Sequence, residues 1–576
     1  MIAPTLRATI VALALACCTF ALAQTPAALP VPAPTSAPAS AATSLDPLAE
    51  AIRERTDLLR YGGETGSQGS TVRGARVILG DFVAQFIESQ QFQPHWREPA
   101  RLDALIAALA DLSDDGLDPN DYHIEILQAF RTDQRRPGGL SPAEQAELEL
   151  VASDAMGLAL YHLYMGKVDP VKLSSQWNFS TRSMPRELGI ERLGEALATG
   201  QIREAFDRAR PQHAWYQRGR ERLKDYRAIA AAGGWSAIGG GPTLEPGVSD
   251  PRVPALRHRL EITGDLAGTA SQDFRPSQVY DAELEAGVRH FQERHGLATD
   301  GRVGAGTRAA LNVPVAARID QIRVNLERGR WVLPELRGEF VLVDVAGFYV
   351  SYFRDNEPIW TSRVVVGRPY RETPIFRSQI TYVVLNPTWT IPPGILAKDK
   401  LPVIRRDPGY LTRNNIRVID SSGREVNPHS VDWNRYGGGR LPPYQFRQDP
   451  GDDNALGLVK IMFPNPYLVY LHDTPSKSLF DKDERTFSSG CIRVEKAFEL
   501  AELVLNDPVR WNRAAIDSAI ASKRTQTVNL AKPVPVLILY WTAQPRPDGQ
   551  VVFRNDVYGR DPPTLAALNS DFRLPP

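Results

Sequence analysis

Cysteine is scarce in this chain: of 576 residues, only Cys17, Cys18 and Cys491 carry a thiol. A fold stapled by disulfides is excluded for everything downstream of the N-terminal segment. An excess of charge of one sign is missing as well, since 67 Lys and Arg balance 67 Asp and Glu. Whole-chain electrostatics therefore give no case for a nucleic-acid partner, and none is expected. His95, His123, His162 and His213 lie far apart without metal-ligand spacing, so no metal and no other cofactor is expected. The apolar run at residues 8–22 is short for a membrane span.

That run has the marks of an export signal. Arg7 precedes it, and Ala21-Leu22-Ala23 before Gln24 is a small-x-small cleavage site, so residues 1–23 are expected to be a cleaved signal peptide. Lipidation at Cys17 or Cys18 is an alternative, although Ala14-Leu15-Ala16 fits a lipobox poorly, and a retained signal anchor is another. Cleavage leaves Cys491 as the sole thiol of an exported protein. Such a thiol is either a small buried hydrophobe or a nucleophile.

Residues 24–45 are rich in Ala, Pro and Ser and read as a tether. From 46 to 230 the pattern is helical and reads as a scaffold domain. Leu102, Leu105, Ile106, Leu109 and Leu112 share a helical face, and Ser141-Pro142-Ala143-Glu144 is a capping box opening a helix to about Tyr164. A Gly/Pro-rich connection leads to a small helical unit at 245–314. Its Phe291-Gln292, Gly296-Leu297, Asp300-Gly301 and Gly304-x-x-Thr307 resemble, in order, the signposts of the three-helix peptidoglycan-binding domain. Residues 315–337 predict a bracing helix with Ile319, Ile322 and Leu326 on one side.

From 338 the period becomes that of strands. Phe340–Val345 and Phe348–Phe353 read as a hairpin, followed by strands at 360–366, 380–385, 458–462, 467–472 and 534–541. A turn-dense insertion at about 390–455, with Trp389, Tyr410, Trp433, Tyr436 and Tyr444, predicts a folded cap over a cleft. The catalytic domain is expected over 338–545, and 546–576 reads as a hairpin and a loose tail.

The chemistry concentrates in 469–494. His472 closes an apolar run, and Cys491 follows in the small-residue turn Ser488-Ser489-Gly490-Cys491. A thiol attacks as thiolate, and a nearby imidazole is the usual means of making one; the pair would alkylate fast near neutral pH. Strand alternation puts Tyr470 on the face of His472. A turn without bulk lets a substrate approach the backbone, whose amides could hold an oxyanion. These parts describe a cysteine acyl-transferase or hydrolase.

His472-Asp473-Thr474 and Ser488-Ser489-Gly490-Cys491-Ile492-Arg493 resemble the active-site signature of L,D-transpeptidases with the YkuD-type β-rich catalytic domain, and Val366-Gly367 with Thr373-Pro374 also matches. The whole chain is similar to the large YcbB-like periplasmic subgroup. The implied fold is multidomain: an α-helical scaffold, a small three-helix peptidoglycan-binding domain and a mainly β catalytic domain with a capping insertion. Two positions depart from the common pattern. Asp473 stands where many members have Gly or Ser, and Ser489 where many have His.

The resemblance implies that Cys491 attacks the diaminopimelate–D-alanine bond of a tetrapeptide stem. His472 would activate the thiol, oriented by the main-chain carbonyl of Asp473. The amides of Gly490 and Cys491 would hold the oxyanion, and a side-chain amine of diaminopimelate on another stem would resolve the thioester. Arg493, Ser489, Tyr470 and Trp389 are candidate substrate contacts. The implied partner is peptidoglycan, with the wall-synthesis machinery as a further one, in the periplasm. Carbapenem acylation of Cys491 is expected by the same resemblance. Water or a lipoprotein lysine as acceptor stays open, as does a non-catalytic wall-binding scaffold. A papain-like protease is disfavoured because there the cysteine precedes its distant histidine.

Overall fold

The Ser141 hydroxyl accepts the Glu144 amide while the Glu144 carboxylate accepts the Ser141 amide at 2.8 Å, and this capping box starts the helix Pro142–Met165. The computed structural model describes residues 46–61, 71–174, 177–179, 182–267 and 277–572. The expected signal and tether, 1–45, lie outside the described residues. Helix Pro142–Met165 is buried on all sides, from Gln145 through Leu163, because the helices Pro47–Tyr61, Gly80–Ser89, Pro99–Ala110, Ile124–Gln134 and Ile202–Ala209 pack around it. The run beginning at Leu102 is helical to Ala110 and tightens into a 3-10 turn at Asp111–Asp115.

The helix Val315–Val332 corrects one expectation. Instead of bracing one side, it is buried almost continuously from Val324 to Val332. Helix Ala214–Ala231 covers one flank, and a C-terminal helix, Asp561–Leu568, covers another. Glu327 and Arg330 enter this interior as a partnered set. Glu327 pairs with Arg330, and both side chains are fully buried. Glu327 also accepts the Val168 amide at 2.7 Å, and Arg330 donates to Tyr216 Oη at 2.6 Å and Asp115 O at 2.9 Å. Buried charges persist when every lone pair and proton is met in this way. One apolar core thus runs from Ile52 through Trp331, Leu539 and Phe553 to Leu568.

The C-terminal segment is likewise no loose tail. Ala543–Pro545 and Val551–Phe553 pair as a hairpin, and Asp561–Leu568 docks through Arg328–Asp561 at 2.7 Å.

In the small helical unit, Gln292 explains the sequence signposts. Its amide donates to Asp300 Oδ1 at 2.8 Å, Arg302 O at 2.9 Å and Thr307 Oγ1 at 3.1 Å, and its carbonyl accepts Gly301 N at 2.9 Å. The unit is anchored to the C-terminal hairpin by Arg294, which pairs with buried Asp265 and donates to Val551 O at 3.1 Å.

The β-rich part is one sheet with strands β1 Phe340–Asp344, β2 Tyr349–Arg354, β3 Glu357–Gly367, β4 Phe376–Leu385, β5 Val459–Met462, β6 Leu471–His472, β7 Thr486–Ser488, β8 Ile492–Val494 and β9 Gln526–Leu539. The order is β7-β3-β8-β6-β5-β4-β9-β1-β2, and β2 also pairs with β3, so the sheet closes on itself. Val341, Val343, Val383, Ile461, Leu471, Ile492 and Ile538 fill the inside. Between β4 and β5 the insertion folds as its own four-stranded sheet with short helices around Trp389, Ile404, Leu411, Val418, Trp433 and Phe446.

Sequence alternation overestimates β6: only Leu471–His472 is strand. Upstream, the Asn465 side chain accepts the amides of Tyr467 and Val469 at 3.1 Å and donates to Phe463 O and Val469 O, and Leu468 has φ of 58°. Those side-chain bonds replace ladder bonds with a turn.

Candidate active site

β6 and β8 run parallel, with Leu471 opposite Ile492 and His472 opposite Arg493. On the other side β5 is antiparallel to β6, with Lys460 opposite His472. Leu471, Ile492, Val459 and Ile461 belong to the barrel core. Alternation therefore turns His472, Arg493 and Lys460 to the opposite face, with Tyr470 and Cys491 at the strand entrances beside them. The thiol and the imidazole stand on one face of neighbouring strands.

Each is held by main chain in the resting site. Cys491 Sγ donates to Leu468 O at 3.6 Å, the carbonyl presented by the Asn465 turn. His472 Nδ1 lies 2.5 Å from Asp473 O, the contact that the resemblance implies, so Nδ1 donates and Nε2 is left as the base. No direct hydrogen bond joins Cys491 to His472 among the described residues.

The titration state follows from burial. Desolvation pushes the His472 imidazole down to about 3, Arg493 and Lys460 push the same way, and bonds to the Asp473 and Leu456 main chain offset only part. Desolvation also raises the Cys491 thiol above 9.0, against bonds from Tyr470 and the charges of Lys460 and Arg493. Both groups rest neutral at pH 7. Desolvation of both groups opposes the fast alkylation near neutral pH that a pairing of His472 with Cys491 implies.

The turn carrying Cys491 is braced from several sides. Ser488 Oγ donates to Cys491 O at 2.5 Å and accepts Gly490 N at 3.1 Å. Gly490 has φ of 113°, open to glycine. Thr373 Oγ1 accepts Gly367 N and donates to Gly490 O, both at 2.9 Å, and a side chain at Gly367 would collide with the Arg371 and Thr373 main chain. Tyr558 Oη donates to Gly367 O at 2.6 Å. The Val366-Gly367…Thr373-Pro374 match thus has a structural cause. One expected role is corrected: with its N–H engaged by Ser488, Gly490 is not a free oxyanion donor in this state.

The two departures from the family pattern both touch the insertion. The Asp473 carboxylate accepts Leu458 N at 3.0 Å, where the insertion returns to β5, and pairs with Lys477. Ser489 Oγ accepts from Arg371 at 2.8 Å, and Arg371 also donates to Asp399 of the insertion at 3.0 Å. Ser489 is exposed at the rim. Trp389 is buried in the insertion core and Tyr470 packs against that core. The Tyr470 and His472 rings meet edge-on at 5.6 Å, and the Tyr470 hydroxyl is held above its usual pKa chiefly by burial, with Cys491 acting in the same direction.

Lys460 is the residue that motif reasoning missed. Its Nζ lies 4.0 Å from the centre of the Tyr470 ring, and its charge is coupled to Cys491. A lysine inside the otherwise apolar strand Val459–Met462 was the available signal. Leu468 and Ser488, which act through main chain and hydroxyl, carried none.

Comparisons with known proteins match three parts of the chain. Residues 338–529 match the model described as "L,D-transpeptidase catalytic domain", YkuD. Residues 81–223 match "Scaffold domain", and 249–311 match "Putative peptidoglycan binding domain". A curated Haemophilus influenzae protein named "Putative L,D-transpeptidase" is 36% identical over 256 residues, 44% of this chain and 50% of that protein. The chain thus aligns with about half the length of this relative. A crystal structure of an L,D-transpeptidase from Xylanimonas cellulosilytica covers 52% of this chain and 99% of that one at 13% identity, with a TM-score of 0.17, too low to carry an argument.

The structure thus combines a helical body, a small helical unit that matches a putative peptidoglycan binding domain, and a β-rich domain that matches the YkuD L,D-transpeptidase catalytic domain. That three-part order supports a YcbB-like multidomain L,D-transpeptidase architecture.

Proposed function

We propose that this chain is a cysteine-dependent peptidoglycan L,D-transpeptidase acting in the periplasm after removal of residues 1–23. The observation that carries the reading is that Cys491 and His472 share one face of adjacent strands in the matched catalytic domain. Substrate entry frees the sulfur from Leu468 O, and Nε2 of neutral His472 takes its proton as the thiolate attacks the diaminopimelate carbonyl. The developing oxyanion is held by the Cys491 amide, since Gly490 N–H is bonded to Ser488. His472 then protonates the departing amine, D-alanine leaves, and a thioester remains on Cys491. The side-chain amine of a second diaminopimelate attacks the thioester, gives a proton to His472, and leaves a 3-3 cross-link with the thiol restored.

Purified protein incubated with disaccharide-tetrapeptide tests this. Mass analysis is expected to show a dimer lacking one D-alanine, absent with Cys491→Ala. Tripeptide alone would move the reading to an L,D-carboxypeptidase. Cross-linking that persists in Cys491→Ala would remove the catalytic assignment.

A further inference from the structure

Most arginines around the barrel are neutralised. Arg363 pairs with Glu495, Arg371 with Asp399, Arg560 with Glu372 and Arg377 with Glu335. Two cations beside the sulfur are different. Lys460 and Arg493 stand on either side of His472 in the sheet register, and neither forms a salt bridge among the described residues. Arg493 Nε is buried without a hydrogen-bond partner. Lys460 has an aromatic face, Tyr470, but no carboxylate. Burial lowers the pKa of both groups, Arg368 adds further positive charge near Arg493, and Cys491 draws both upward when ionised. Partly buried cations without counter-charge are costly to the fold. Two such cations flanking the imidazole, neither with a carboxylate partner, suit an incoming anion.

The proposed reaction supplies one. D-alanine carries its carboxylate on the carbon that bears the scissile nitrogen, so standard bond lengths put the carboxylate carbon about 3–4 Å from the carbonyl carbon under attack. The acceptor has the same chemistry, because diaminopimelate carries its side-chain amine on a carbon next to a carboxylate. Leaving amine and entering amine occupy the same side of the acyl carbon, so one cationic seat serves both halves of the reaction. We propose that Lys460 and Arg493 together seat the α-carboxylate of the amino acid whose amine leaves, and then of the one whose amine enters. Lys460 supplies a point charge steadied by the Tyr470 face, and Arg493 a planar donor edge. This assignment rests on the transpeptidase reading and names the feature of the substrate that the site selects.

The test compares a tetrapeptide donor ending in D-alanine with the same donor ending in D-alaninamide. The native protein is expected to favour the acid donor by about tenfold or more in kcat/KM, chiefly through KM, as the loss of a charged hydrogen bond implies. Lys460→Met is expected to reduce kcat/KM on the acid donor about tenfold more than on the amide donor, and Lys460→Arg to restore the preference. Equal losses on both donors, or a native enzyme without preference, overturn the proposal. A binding arm runs in Cys491→Ala, which cannot turn over. There, calorimetric titration should find the acid peptide bound about tenfold more weakly once Lys460→Met is added. Equal affinity for acid and amide peptides in Cys491→Ala overturns the seat. Turnover of neither donor by the native protein fails the transpeptidase reading, and the seat is then judged by the titration alone.

Discussion

The Tyr470 ring meets the His472 imidazole edge-on at 5.6 Å, and the Tyr470 side chain favours the Cys491 thiolate. The same side chain packs on the insertion core that holds Trp389, so the cover and the thiol share one neighbour. Tyr470→Phe keeps the ring against His472 and Lys460 but removes the polar group that favours the thiolate. The expected outcome is a further rise in the thiol pKa and about a tenfold fall in the rate of acyl-enzyme formation, with an unchanged melting curve. Stopped-flow or mass-resolved acylation by a carbapenem reads the rate.

Burial raises the Cys491 thiol above 9.0 in the resting site. At pH 7 the thiolate fraction is then smaller than that of an ordinary cysteine, and it grows as pH climbs through and beyond 9.0. Iodoacetamide is expected to label the native protein more slowly than it labels free cysteine at pH 7, with a steep alkaline limb. Unfolding in urea should bring the rate to that of the free amino acid. Fast labelling at neutral pH in the folded protein would mean a preformed ion pair.

Asp473 does two separable jobs. Its main-chain carbonyl orients His472, and its side chain, 4% exposed, holds the Leu458 amide and Lys477. Asp473→Ala removes only the second. It is expected to cost about 1–3 kcal/mol through the stranded amide, lowering Tm. Hydrogen exchange should quicken at residues 454–458, while the His472 tautomer, read by nitrogen NMR, stays as in the parent.

Glu149 and Asp344 each contribute a share of the pH dependence of stability. Burial raises Glu149 from 4.5 to about 7, against bonds from the His95 and Trp96 amides and Gln145. An acid whose folded pKa exceeds its unfolded one holds its proton longer in the native state. Its contribution is full below 4.5 and is lost as pH rises to about 7, on the order of 3 kcal/mol. Buried His162, His295 and His472, held below 6.5 by desolvation, contribute in the opposite sense as pH rises, so the acid is read by difference: relative to the parent, Glu149→Gln is expected to gain in urea midpoint between pH 4.5 and 7, and Asp344, which burial raises to about 6, keeps its own smaller share in both proteins.

The reach of sequence reasoning can be judged residue by residue. The shared neighbourhood of Cys491 and His472 was legible because both come from one contiguous stretch, and the contact of His472 with the Asp473 carbonyl was implied by the family resemblance. The Ser141 capping box and the Gln292 signposts were legible because their bonds close within a few turns of chain. Lys460 was not, since its place beside Cys491 is made by the register of β5 on β6, a relation no local pattern encodes. Neither was the engagement of Gly490 N–H by Ser488, which depends on the fine shape of a turn. The burial of Val315–Val332 escaped notice because its polar residues, Glu327 and Arg330, read as a solvent face until Asp115 and Tyr216 arrive from distant parts of the chain.

The core from Ile52 to Leu568 takes in Phe340, Leu537 and Leu539 of the sheet, so helical body and barrel are packed on one another. Arg294 clamps the small helical unit to the C-terminal hairpin of that same body. A substitution that loosens this shared packing would be felt on both sides of it, whereas the insertion has its own core and is tied to the frame through Asp399 and Leu458.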